Sequence, residues 1–347
     1  MEGVSGFPAA LGLAPEQVEQ VVRLAGRAPS LHNRQPWRFR LTPDVIELHA
    51  DPLRRMPGTD PQDRELRIGC GAALFNLRLA LEHVGLRPLV TLLPRGHEPT
   101  LLAEVRRGGS LRVGTEQSEL LRAITTRRTN RRPFLPTPVP KVHRNALCGS
   151  VSVEHAWLHV IERAQRAELL GMVRRAHDEQ LRSEAFRAEM AAWTGLREGA
   201  PEGVQASSAG PTREAQDEWV LRDFSGGRER PRVPGKDFED DPLTFVLCTY
   251  SQGKQADLEA GEALQRLLLT ATSLGLSTSM LSQVIEVRET RAELRAMLGG
   301  TLEPQAVLRI GYGTPVPATP RRAPEELLIT GAERERAPST AVAPGSR

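Results

Sequence analysis

The chain has 347 residues, room for roughly two domains or one large fused unit. Its 46 basic residues, nearly all arginine, stand against 43 acidic ones for a net charge of +3, a balance that argues against a nucleic-acid binder with a dedicated cationic face. Three dispersed cysteines in apolar surroundings (Cys70, Cys148, Cys248) read as core residues of a reducing compartment, and no apolar run is long enough for a bilayer, so a soluble, cytoplasmic protein is expected.

The spacing of Val18, Val21, Val22 and Ala25 predicts a first helix over 14–28, with Pro15 near its first turn where proline is tolerated. It runs into A-P-S-L-H-N-R-Q-P-W, residues 28–37, whose two prolines forbid helix and shape a loop. Alternation predicts strands at 37–41 and 45–50 about a Thr42-Pro43-Asp44 turn. A polar stretch at 52–63 leads to a helix that begins its repeated part at Gly71, then to a strand at 89–93. A helix over 116–126 ends in R-R-T-N-R-R, residues 127–132, and a proline-rich connector over 133–140 follows.

The second half reads as a short helix at 143–148, a strand at 157–161, a long helix over 163–193 and a Gly/Pro/Ser-rich insert, 195–242. An insert of that length is either a surface excursion or a lid. A strand at 243–250, a second long helix, an apolar segment at 277–287, a helix at 290–298 and a strand at 306–312 complete the chain before a disordered tail, 331–347.

The two long helices carry the same sequence. G-A-A-L-F-N-L-R-L-A-L-E-H-V-G-L from Gly71 aligns without gaps on G-E-A-L-Q-R-L-L-L-T-A-T-S-L-G-L from Gly261. The shared leucines fall on one helical face, and Gly85 and Gly275 are each able to take a left-handed cap. W-L-H-V-I at Trp157 echoes W-R-F-R-L at Trp37. We read this as a tandem duplication whose halves, 13–115 and 116–330, pack as an internal pseudo-dimer, a monomer by chain count.

The chemistry-bearing candidates are few. Guanidinium forks at Arg127, Arg128 and Arg131, with the Thr129 hydroxyl, suit one phosphate monoester, although a solvated basic turn would look the same. Ser30, Asn33 and Gln35 offer donors and acceptors between stiff prolines and otherwise cap turns. Arg321 and Arg322, in T-P-R-R-A-P, read alone as an exposed turn. No G-x-G-x-x-G follows a strand, and no H-E-x-x-H, G-x-S-x-G or P-loop is present. A bound organic cofactor therefore suits the chain better than a protein nucleophile or a metal.

The A-P-S-x-x-N-x-Q-P-W loop and R-R-T-N-R resemble the two hallmarks of FMN-dependent nitroreductases. The second repeated helix, P-Q-A-V-L-R-I-G-Y-G and T-P-R-R-A-P are similar to the Acg-type fused branch of that family. The resemblance implies an α+β fold, antiparallel-dominated sheets flanked by helices, with flavin between the halves. It implies that Arg127, Arg128, Arg131 and Arg321 or Arg322 hold the FMN phosphate with Thr129, and that Pro29, Ser30, Asn33 and Gln35 border the ring. Leu281, Ser282 and Gln283 would run along the isoalloxazine, Ser282-Gln283 replacing the family's usual Glu-Gly. Hydride would pass from NAD(P)H to a small-molecule acceptor such as a nitroaromatic or quinone; the alternative is a flavin-storing protein with little turnover. Only the first half keeps the A-P-S loop and only the second keeps the arginines, so one FMN per chain is expected.

Overall fold

The computed structural model describes residues 6–211, 214, 217–219, 222–228, 238 and 242–330. Within them lie two antiparallel four-stranded sheets of matching order. The first contains β1 (Trp37–Leu41), β2 (Ile46–Ala50), β3 (Leu86–Leu92) and β4 (Leu101–Ser110), in the order β1-β2-β4-β3. The second contains β5 (Trp157–Val160), β6 (Thr244–Thr249), β7 (Ser277–Met280) and β8 (Glu303–Gly311), in the order β5-β6-β8-β7. The architecture is α+β, as the resemblance implies. The expected tail, 331–347, lies outside the described residues, as do parts of the 195–242 insert.

α1 (Pro15–Ala25) buries Val18, Val21, Val22 and Ala25 against α2 (Arg64–His83), while α3 (Thr115–Thr126) lies on α2 and on α7 (Lys254–Ser273). α4 (Lys141–Ser152) packs on α7 as α1 packs on α2. The repeated helices are α2 and α7, and their caps are as expected: Gly85 has φ +82° and Gly275 φ +73°.

The two helices cross at the glycines that open the repeat. A Cβ built on Gly71 would fall on the Leu258 carbonyl oxygen and 3.0 Å from Gly261 Cα; one built on Gly261 would fall on the Ile68 carbonyl oxygen and 2.8 Å from Gly71 Cα. The contact is the same when the halves are exchanged, as an approximate twofold axis requires. Only glycine allows backbones this close.

Three elements differ from the sequence reading. β4 is not expected from the pattern, because Leu101–Val105 is buried at every residue in an inner strand and shows no period of two. The long helix over 163–193 is two helices, α5 (Arg166–Arg182) and α6 (Glu184–Trp193). Ser183 breaks it by going extended (ψ 118°) and capping α6 through Oγ, which accepts from Phe186 N at 3.2 Å. The apolar segment at 277–287 is β7 followed by the single-turn α8 (Gln283–Glu286), before α9 (Arg288–Met297).

The last described residues cross from one half to the other. Ile329 N donates to Phe39 O of β1 at 2.9 Å, and Leu327 is buried in the core formed by α1, α2 and β1. The boundary at residue 116 therefore separates the sheets but not the cores.

Gly261→Ala must push two backbones apart. We expect it to cost about 1–3 kcal/mol, the range for overpacking a close contact, read as a lowered melting temperature in thermal denaturation. Gly149→Ala, exposed and with open space around it inside α4, is the control for helix propensity alone and should raise the melting temperature slightly.

Candidate functional site

The residues after α3 build the first wall. Arg127 N still donates to Ala123 O at 2.8 Å, but the backbone then turns extended (ψ 133°), and Thr129 pairs with Thr278 of β7 in a parallel bridge. Asn130 is consumed by this docking: its N donates to Thr278 O at 2.8 Å and its Nδ2 to Thr314 O at 2.9 Å. Arg127, Arg128, Thr129 and Arg131 all line one chamber of about 600 Å³, with Arg27, Pro29, Ser30, Asn33 and Arg321 around it.

The loop between α1 and β1 builds the second wall, and it is strained. His32, Asn33 and Gln35 have φ of +48°, +56° and +53°, a region non-glycine residues enter only when their surroundings hold them there. Ser30 Oγ fixes the turn by accepting from Gln35 N at 2.9 Å. Gln35 itself is turned away from the chambers: Nε2 donates to Pro201 O at 2.7 Å and Oε1 accepts from Arg322 N at 3.0 Å. The expectation that Gln35 borders a ligand is thus corrected; it ties the loop to the insert and to the C-terminal segment.

The same segment separates the two C-terminal arginines. Arg321 lines the arginine chamber, its Nη2 donating to Ala28 O at 3.2 Å. Arg322 turns away from this chamber into a second, partly buried position, with Nε 3.4 Å from Glu202 and Nη2 donating to Glu326 O at 2.6 Å. Arg322 is therefore corrected to a structural residue.

Among the described residues no carboxylate pairs with Arg27, Arg127, Arg128, Arg131 or Arg321. Burial, then the neighbouring Arg127, Arg27 and Arg128, pushes the Arg321 guanidinium down to about 9. Burial first also lowers Arg127 and Arg131, each to about 10. Four buried polar atoms on this chamber lack a hydrogen-bond partner: Arg127 Nε, Arg321 Nε, Ser208 Oγ and Asn33 Oδ1. Crowded buried cations beside unsatisfied polar atoms call for an anion with several oxygens. Since Arg127 is only 5% exposed, the cluster is not the open basic surface a nucleic acid needs.

A second chamber of about 790 Å³ adjoins the first through Pro29, Ser30, Thr129 and Arg131. Its floor is the α2–α7 pair, with Ile68, Gly69 and Ala72 from one helix and Leu264 and Leu268 from the other. Alternate residues of β7 and its exit (Thr278, Met280, Ser282) form a wall, and His32, Arg222 and Phe224 a roof. Leu281 and Gln283, expected beside a ring, line a third chamber of about 430 Å³ that adjoins the second through Arg131, Arg222, Phe224, Met280 and Ser282. Leu281 N is already bound to Val307 O at 2.8 Å.

The insert contributes Gly203, Val204, Ser208, Arg222 and Phe224 to these walls, none of them singled out by the sequence. It is pinned by a buried ion pair: Arg222 Nη2 reaches Glu286 Oε2 at 2.6 Å, with Nη1 on Ser282 Oγ at 3.1 Å.

The mirror-related place is polar: beside Arg78 lies a cavity of about 360 Å³ lined also by Glu82, Glu116, Gln117 and Arg266. In the register that lays Gly71 on Gly261, Ala72 corresponds to Glu262 and Leu268 to Arg78. Arg78 Nη1 binds Glu262 at 2.6 Å and Glu154 at 2.9 Å, so an ion-pair cluster fills the equivalent floor.

His32 is buried, stacks 5.9 Å from Phe224 and is held neutral, its pKa lowered to about 3 chiefly by burial and next by Arg222. With the folded value depressed, its contribution to stability is present above about pH 6.5 and lost as pH falls toward 3. His32→Gln should therefore flatten the acid limb of stability between pH 7 and pH 4, measured by urea unfolding across that range.

No family model matches the chain. Over 324 residues it is 32% identical to the Mycobacterium tuberculosis protein "Putative NAD(P)H nitroreductase acg", an alignment covering 92% of this chain and 97% of the relative. It is 33% identical over 330 residues to "Putative NAD(P)H nitroreductase Rv3131" of the same species, covering 90% of this chain and 93% of the relative. Among solved structures, the FMN-dependent nitroreductase NfnB from Mycobacterium smegmatis in complex with NADPH matches 60% of this chain and 96% of its own, at 20% identity and a TM-score of 0.38. With that identity sustained over nearly its whole length, the chain belongs to the acg family of NAD(P)H nitroreductases.

Proposed function

We propose that this protein binds one FMN per chain and uses it to pass hydride from NAD(P)H to a nitroaromatic or quinone-like acceptor. The observation that carries the reading is the pairing of an arginine chamber without carboxylates to an adjoining, mostly apolar slot. A flavin mononucleotide has the same two ends, a dianionic phosphate and a planar tricyclic ring. When bound, it supplies reversible two-electron chemistry that no side chain of the site provides.

Arg127 and Arg321, with Arg27 and Arg128 beside them, would hold the phosphate. Thr129, Ser30 and Asn33 would bond the polyol and the ring edge, and Arg131 stands where the two chambers meet. Gly69 and Ala72 keep the floor flat: a Cβ on Gly69 would come 3.3 Å from Ser30 Cβ and narrow the slot. The ion-pair cluster at Arg78 supports one site rather than two.

One observation favours a second reading, that of a flavin store with little turnover. Phe224 and Arg222 roof the slot, and a fixed roof keeps out both water and bulky acceptors.

Heat-released flavin should be FMN at close to one per chain. Arg127→Ala/Arg131→Ala should stay folded, because it removes buried cations that have no carboxylate partner. It should weaken FMN binding by about 100-fold or more, since two charge-assisted hydrogen bonds contribute roughly 3 kcal/mol or above. Arg321→Ala should do likewise, and Arg322→Ala should leave FMN affinity near wild type; both are read by flavin fluorescence titration. Turnover with a panel of acceptors separates enzyme from store.

A further inference from the structure

The three chambers contain a single carboxyl among their described lining residues, that of Glu65. It stands in the first turn of α2, and Ile68, Gly69 and Ala72 follow it on the same helical face, so its side chain closes one end of the slot floor. The residue is only partly exposed, and it lines the slot. No hydrogen bond or ion pair reaches its carboxyl among the described residues.

The other carboxylates around it are engaged elsewhere. Asp60, before the helix, takes the free N–H groups of Arg64 and Leu66 at 2.8 and 3.0 Å. Asp257 of α7 is paired with Arg67 at 2.7 Å, and Arg64, whose Nη2 bonds to Gln305, lies at 3.7 Å from the same carboxylate. Glu286 of α8 is held by Arg222, Arg291 faces Glu65 from α9, and neutral His32 and Arg131 lie across the slot. Burial outweighs the opposing pull of Arg64 and pushes the Glu65 carboxyl up to about 8, with Asp60, Glu286 and Asp257 adding to the rise. At neutral pH it is an acid that still carries its proton.

We propose that Glu65 is the residue that meets the acceptor: it donates a hydrogen bond to the carbonyl oxygen of an uncharged quinone lying in the slot and delivers that proton as the quinone is reduced. This rests on the flavin reading above. The balance is that of a two-electron reduction. The quinone receives a hydride originating from NAD(P)H, the Glu65 O–H bond breaks as a new O–H bond forms on the quinone oxygen, and the product is the hydroquinone. Glu65 is left as carboxylate and regains its proton from water. After the proton has been delivered, the slot holds the Glu65 carboxylate beside Arg131 and Arg222.

The test uses the FMN-loaded full chain, wild type beside Glu65→Gln and Glu65→Ala, with flavin content measured first. In the oxidised protein without NAD(P)H, duroquinone binding should be within about two-fold of wild type in Glu65→Gln, which keeps a donor. It should weaken roughly three- to ten-fold in Glu65→Ala, the loss expected for one neutral hydrogen bond. Wild-type binding should fall as pH rises through about 8 while that of Glu65→Gln stays flat, and an infrared band of a protonated carboxyl at pH 6.5 should vanish in Glu65→Gln. Turnover with duroquinone should drop ten-fold or more in Glu65→Gln. Full flavin content with wild-type binding and turnover in Glu65→Ala overturns the role of Glu65 alone. Loss of FMN from Glu65→Gln also overturns it, by showing the residue to be structural. A wild-type chain that takes up no FMN overturns the underlying reading and this one with it.

Discussion

The contact on which the structure depends is the crossing of α2 and α7 at Gly71 and Gly261. Backbone meets backbone there, with each glycine against a carbonyl of the other helix. Everything that lines the slot is measured from that crossing: Ile68, Gly69 and Ala72 lie just beside it on α2, and Leu264 and Leu268 just beyond it on α7. A larger residue at either position would lift one half off the other and change the depth of the floor. Packing of this kind leaves little slack, because interiors are as dense as molecular crystals.

Symmetry at the axis gives way to asymmetry away from it. Two equal halves would make two equal slots, yet position by position one floor carries Ala72 and Leu268 where the other carries Glu262 and Arg78. Trp37 is fully buried while its counterpart Trp157 is 49% exposed, because the loop preceding it has shrunk to a few residues. One floor is apolar, while the other holds the ion pairs of Arg78 with Glu262 and Glu154. Burial pushes the Glu262 carboxyl up to about 7 against the pull of Arg78, so the cluster lies deep enough for desolvation to matter.

Much of this was legible in the sequence. The repeat marked α2 and α7 as equivalent helices of two similar halves, and the paired motifs picked out Arg127, Arg131, Thr129, Pro29, Ser30 and Asn33, all of which line the arginine chamber. What was not legible depends on long-range geometry. Arg321 and Arg322 are adjacent and chemically identical; only the path of the chain past Ala28 sends one inward and the other to Glu326. Gln35 belongs to a motif and yet acts as a strut. Glu65 and Phe224 carry no motif at all, since one is an ordinary acid in a first helical turn and the other a lone aromatic in a polar insert. β4 escaped because an inner strand buried on both faces loses the alternation by which strands are recognised.

The C-terminal segment has a consequence for synthesis. Arg321 completes the arginine chamber, and a few residues later Leu327 and Ile329 complete the core and sheet edge of the first half. The half made first is therefore finished last: α1, α2 and the first sheet precede by most of the chain the segment that completes both their core and the arginine chamber.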